Sequence, residues 1–233
     1  MKSVILWRHG RTAWNAERRF QGQADPPLDG TGRDQADAAA ALLASLRPEY
    51  IVTSDLRRAA QTAAALGRVT GVGVVIDPRL RERSLGHWEG LTRDEVEERY
   101  PDEMADWVAG RDVSRRGGES REQVAARACE AFDTLPDTGV AVIVTHSATA
   151  MALTTALLGL PQTVHLLGPL ANCHWSELYR EPAGWRLRAH NAGPQGSVIP
   201  LPFTPDAEPD AEAIDADVPG GGVSVDSGIS STA

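Results

Sequence analysis

Residues 140–145 read VAVIVT, a run with no polar side chain before its final threonine. Such a run, rich in β-branched residues, suits a strand covered on both faces, as in the parallel sheet of an α/β protein. Residues 3–7 (SVILW) form a similar short run, residues 50–53 (YIVT) read as another strand, and residues 72–76 as a fourth. Between them, segments with helical spacing cover 31–46, 56–68, 92–99, 120–135 and 148–158. Residues 173–179 and 185–189 alternate apolar and polar, which predicts a strand pair near the end of the domain. Strands alternating with helices predict a three-layer α/β/α domain with a mostly parallel central sheet.

These elements fall within one domain, residues 1–199. Residues 200–233 have a different composition: proline, glycine, serine and seven acidic residues, with no basic one. That stretch cannot bury enough apolar surface to offset its ordering entropy, and it predicts a disordered, solvated tail. The chain's formal charge is −9. Setting aside the tail's seven acids leaves about −2, a nearly neutral body that argues against a nucleic-acid partner. No apolar stretch approaches the ~20 residues of a membrane span, and the first residues lack the pattern of a signal peptide. The expectation is a soluble, cytoplasmic protein with no membrane partner. Cys129 and Cys173 show no metal-ligand spacing and are expected as buried thiols rather than a disulfide.

Open α/β sheets bind ligands beyond the carboxyl ends of their strands. The first strand ends in Arg8-His9-Gly10 and the clearest one in Thr145-His146-Ser147. One pocket is therefore expected to hold both histidines. Gly10 permits close backbone approach to a ligand, and the planar fork of Arg8 suits phosphate oxygens. Arg58 falls in the first turn of the 56–68 helix, where the donor-rich end favours anions. Glu82, set among arginines, is a candidate proton donor or acceptor.

The segments LWRHGRTAWN, FQGQADPPLDGTGRDQA, SDLRRAAQTA, LRERSLGHWEGLT, GGES and VIVTHS follow one another in order. In that order and spacing, over residues 3–190, the chain resembles the histidine phosphatase superfamily, the group that includes cofactor-dependent phosphoglycerate mutase. The resemblance implies that His9 is the nucleophile and that Arg8, Arg58 and His146 hold the phosphoryl group. It implies Glu82 as the acid that protonates the leaving oxygen and then the base that activates water. Asn15, Gln21, Thr12 and Gly22 would line the phosphate and substrate mouth. Ser147, standing where the family usually has glycine, joins that set as an open question.

The residue types suit the chemistry. A neutral imidazole is a good nucleophile toward phosphorus, and the cationic donors stabilise the transferring group without a metal or other cofactor. The arginines should keep His9 neutral. For Glu82, burial would raise the pKa while the arginines lower it, and the sequence does not decide between them. The expected partner is a small-molecule phosphomonoester. Relatives are often dimeric, so a homodimer is an open expectation, with the late strand pair as a candidate edge.

Within the family, the compact RERSLGHWEGLT segment and ANCHW resemble the phosphatase branch, most of all the glucosyl-3-phosphoglycerate phosphatases. The alternatives are a phosphoglycerate mutase, an α-ribazole-phosphate phosphatase and a non-catalytic phosphate-binding module. His87, His165, His174 and His190 show no metal spacing and read mainly as structural. Trp88 and Trp107 read as core residues or as walls of the substrate entrance.

Overall fold

A computed structural model describes residues 3–137, 139–164 and 166–194. The 200–233 segment and His165, and the expectations attached to them, lie outside the described residues. Six strands form one sheet: β1 (Ser3–Arg8), β2 (Tyr50–Thr53), β3 (Val74–Ile76), β4 (Val140–Thr145), β5 (Trp175–Glu181) and β6 (Gly184–Ala192). Their order is β3-β2-β4-β1-β5-β6. The four strands from β3 to β1 run parallel, and the late pair β5 and β6 is antiparallel. The expected mostly parallel sheet is therefore present, with β4 and β1 at its centre.

The apolar runs are covered on both faces, as their composition requires. Along β4, Val142 and Val144 join one core cluster and Ala141 and Ile143 the other. β1 divides the same way, Ile5 and Trp7 against Val4 and Leu6. Helices α2 (Gly30–Ala44) and α3 (Arg57–Thr70) cover the first face. Helices α6 (Arg121–Asp133) and α7 (Ser147–Leu157) cover the second. α2 buries Ala36, Ala39, Ala40 and Leu43, spaced three and four apart on one face. Its alanines add little area and let the helix approach closely, while each fully buried Leu, Ile or Val contributes about 1.5–3 kcal/mol.

Three short α-helices complete the set among the described residues: α1 (Ala13–Ala16), α4 (Arg93–Arg99) and α5 (Pro101–Val108). α4 and α5 build a third cluster, in which Trp88 and Trp107 are interior residues. The guanidinium of Arg116 lies against both rings, 5.3 and 4.8 Å from the centroids, which are themselves 5.3 Å apart in an edge-on pair. Among the described residues, no helix is long and apolar enough to cross a membrane.

Two strand boundaries differ from the sequence reading for local reasons. β3 starts at Val74, not residue 72, because α3 ends on Gly71 in the left-handed conformation (φ 74°) and the chain must turn first. β5 starts at Trp175, not residue 173, because Cys173 itself is left-handed (φ 58°).

Candidate active site

β1 and β4 pair with Arg8 opposite Thr145, so His9 and His146 leave the sheet side by side. The His9 N–H donates to the Thr145 carbonyl at 3.0 Å, and the two imidazole centroids are 5.1 Å apart. The expected convergence of the two strand ends is thus a consequence of register.

Hydrogen-bond partners fix opposite tautomers for the two rings. His9 Nδ1 lies 2.7 Å from the Gly10 carbonyl, which can only accept, so Nδ1 carries the proton and Nε2 the lone pair. Arg58 Nε, always protonated, donates to His146 Nδ1 at 3.3 Å. The proton of His146 therefore sits on Nε2, which is buried and has no hydrogen-bond partner among the described residues. Burial, then the charges of Arg58 and Arg8, hold His9 well below the ordinary histidine range. Burial and Arg58 do the same to His146. Both rings are neutral near pH 7.

Arg8 and Arg58 are wholly buried. Arg8 donates through Nη1 to the Leu170 carbonyl at 2.6 Å. Arg58, on the first turn of α3, donates to the carbonyls of Ala24 (2.6 Å) and Gly22 (2.8 Å). The residue before α3 offers no side-chain cap; Asp25 supplies one from a neighbouring loop by accepting the Arg57 N–H at 2.7 Å.

Glu82 lies in an irregular segment between two short 3₁₀ turns, Pro78–Leu80 and Gly86–Trp88. Its carboxylate accepts the Arg83 N–H at 2.8 Å. It also meets the N-terminus of α7 through the N–H groups of Ala148 and Thr149, 3.3 Å each. Burial raises its pKa; the Arg83 N–H, Arg58, the Ala148 N–H and Arg8 pull down, and burial wins. The balance that the sequence left open is settled in favour of a protonatable carboxyl.

The remaining expected site residues sit around this group in different capacities. Gln21 is 4% exposed, and neither end of its amide has a hydrogen-bond partner among the described residues. Gly22 is buried with φ 49°, and a side chain there would overlap the Glu89 carboxylate. Asn15 Oδ1 accepts from the Thr12 N–H (3.0 Å), the Thr12 hydroxyl (3.1 Å) and Asn172 Nδ2 (3.3 Å). Thr12 is wholly buried, its hydroxyl spent on Asn15 in the cap of α1. Ser147 Oγ accepts the Leu170 N–H at 3.1 Å, tying α7 to the loop that holds Arg8.

Asn172 was not singled out from the sequence, although it lies in the ANCHW segment. Its Nδ2 donates to the His9 carbonyl at 3.2 Å as well as to Asn15. The other histidines brace loops: His174 Nδ1 donates to Asn172 O, and His190 bridges Ser176 Oγ and Gly168 O. His87 is exposed and pairs with Glu103. Both cysteines are free, and burial pushes the Cys173 thiol far up. No group of three or more His, Cys, Asp or Glu among the described residues could hold a metal ion.

The loop after β1 also depends on a glycine–glycine contact. A Cβ on Gly10 would overlap the Gly32 carbonyl, and one on Gly32 would overlap the Arg11 carbonyl. We expect Gly32→Ala to destabilise the fold by about 1–3 kcal/mol despite alanine's better helix propensity. Urea titration of the two proteins checks this; equal or greater stability of the alanine variant would contradict the contact.

The model of the histidine phosphatase superfamily (branch 1) matches residues 4–193. The chain is 41% identical over 217 residues to glucosyl-3-phosphoglycerate phosphatase of Mycolicibacterium vanbaalenii (strain PYR-1), covering 84% of this chain and 96% of the relative. A probable phosphoglycerate mutase GpmB of Serratia proteamaculans (strain 568) is 35% identical over 191 residues, 79% of this chain and 88% of the relative. The solved structure of a mycobacterial glucosyl-3-phosphoglycerate phosphatase complexed with VO3 superposes with a TM-score of 0.73 at 38% identity, over 83% of this chain and all of the other. By family model, relatives and fold, the chain belongs to branch 1 of the histidine phosphatase superfamily, as a phosphomonoester hydrolase.

Proposed function

We propose that the chain hydrolyses glucosyl-3-phosphoglycerate through a phosphohistidine formed on His9. The observation that carries the mechanism is the pair of opposite tautomers at neighbouring strand ends. One ring offers a lone pair and the other an N–H. His9 Nε2 attacks phosphorus as the bond to the ester oxygen breaks, and protonated Glu82 gives that oxygen its proton. Arg8, Arg58 and His146 Nε2–H hold the phosphoryl oxygens, with Gln21 and Asn15 at the rim. Water then attacks the phosphohistidine, Glu82 takes its proton, the P–N bond breaks and inorganic phosphate leaves. The burial that keeps His9 neutral and the burial that keeps Glu82 protonatable are the same physical device applied to opposite charges.

The substrate assignment rests on the 41% identical relative, matched over nearly its whole length. Phosphate release from a panel of esters tests it. We expect kcat/KM for glucosyl-3-phosphoglycerate to exceed that for 3-phosphoglycerate and α-ribazole phosphate by more than about tenfold, a difference of roughly 1.4 kcal/mol in transition-state binding. A smaller preference would contradict the assignment and leave the phosphohistidine mechanism standing.

A further inference from the structure

The GGES motif stands out in the sequence, yet its glutamate touches none of the proposed phosphoryl ligands. Its surroundings show what it does. Arg127, on α6, has five N–H donors, and all five are used. Nη1 donates to the carbonyls of Arg79 (2.7 Å) and Arg81 (2.6 Å), and Nη2 to the carbonyl of Glu82 (3.0 Å). The other two grip the Glu119 carboxylate, Nε to Oε1 at 2.7 Å and Nη2 to Oε2 at 2.9 Å. Such a bidentate pair fixes a guanidinium's plane as well as its position.

Glu119 holds the other side of the same segment. Its Oε2 accepts the Ser84 N–H at 2.8 Å, and its own N–H donates to the Ser84 carbonyl at 3.0 Å. Its carbonyl accepts from Arg83 Nε at 2.8 Å. Gln23 closes the ring, its Nε2 reaching both Glu119 Oε2 (3.3 Å) and the Glu82 carbonyl (3.2 Å). Thr145 and Thr149 hydroxyls take the carbonyls of Leu80 and Arg81. Every carbonyl from residue 79 to 82 is therefore captured by a side chain, in a stretch where no strand or helix ladder could serve it past residue 80.

We propose that Arg127 and Glu119 are positioning residues for Glu82, locking the backbone on either side of it so that its carboxyl meets the leaving oxygen. The proposal rests on the phosphohistidine reading above. A general acid acts only within hydrogen-bond reach of the atom it protonates, so a loop freed on both sides should lose proton transfer before it loses phosphate binding.

The discriminating readout is dependence on the leaving group. Phenoxide is basic and needs a proton as it departs; 2,4-dinitrophenoxide does not. In single-turnover experiments with phenyl phosphate and 2,4-dinitrophenyl phosphate, Arg127→Met should slow phosphoryl transfer from the first by on the order of 100-fold and from the second by under about tenfold. Arg127→Lys keeps the charge and one carbonyl contact and should fall between Met and wild type. Glu119→Gln should show the same split in smaller measure. If Arg127→Met does not fold, the split is read from the latter two. Equal losses on both esters, or no loss on either, would overturn the proposal, since a merely structural defect does not distinguish leaving groups. Absence of a phosphoenzyme in the wild type would instead overturn the underlying reading, and the proposal with it.

Discussion

His9→Ala abolishes turnover, with an expected fall on the order of 10⁴-fold or more, because the other ring at the strand ends, His146, has its lone pair on Nδ1 and that nitrogen is engaged by Arg58 Nε. The fold should survive. The His9 main chain keeps its bonds to Thr145 and Cys173, and Arg8 and Arg58 keep their carbonyl partners. Oxyanion affinity should change little, since the two arginines and His146 remain. Phosphate release and vanadate titration on the same preparation check both halves. Turnover that survives the substitution would remove His9 from the chemistry; ligand binding without wild-type turnover would make the chain a binding module.

Glu82→Gln is expected to cost 10²–10⁴-fold with a basic leaving group, roughly what a positioned proton donor supplies. The amide oxygen can still accept the N–H groups of Arg83 and Thr149, which share Oε1, and only the Ala148 N–H at Oε2 loses its acceptor, so the loss reports proton transfer rather than collapse of the loop. The pH dependence carries the sign. Phosphoryl transfer needs His9 unprotonated, so it fails as pH falls through the lowered pKa of His9. It also needs Glu82 protonated, so it fails as pH rises through the raised pKa of Glu82. The wild-type profile of the transfer step is thus a bell with His9 setting its acid limb and Glu82 its alkaline limb, and Glu82→Gln removes the alkaline limb. An alkaline limb unchanged in the variant would assign the acid to another group.

Much of this is legible in the sequence itself. The runs at 3–7 and 140–145 demanded cover on both faces, which is a statement about layers, and the strand-end rule then placed His9 beside His146. The motif resemblance named the five residues proposed to act on the phosphoryl group. Other features depend on contacts that no local pattern carries. α5 is eight residues with Met104 and Trp107 as its buried positions, too little periodicity to register. Gly71 and Cys173 moved two strand starts through single backbone conformations. The direction of the Glu82 shift is a balance of burial against arginines brought from α3 and β1. The roles of Glu119, Arg127 and Asn172 are backbone accounting across distant segments: Arg127 serves carbonyls 45 to 48 positions away, and Asn172 one 163 away.

The covalent intermediate on His9 is the centre of the account, and trapping it is the most direct measurement. Enzyme mixed with a ³²P-labelled phosphomonoester, quenched in alkali within the first turnover and digested, should yield one labelled peptide, containing His9. Its label should be stable in base and lost in acid, as phosphohistidine is. Label on another residue, or phosphate released at the full rate with no labelled protein at any time, would contradict the mechanism.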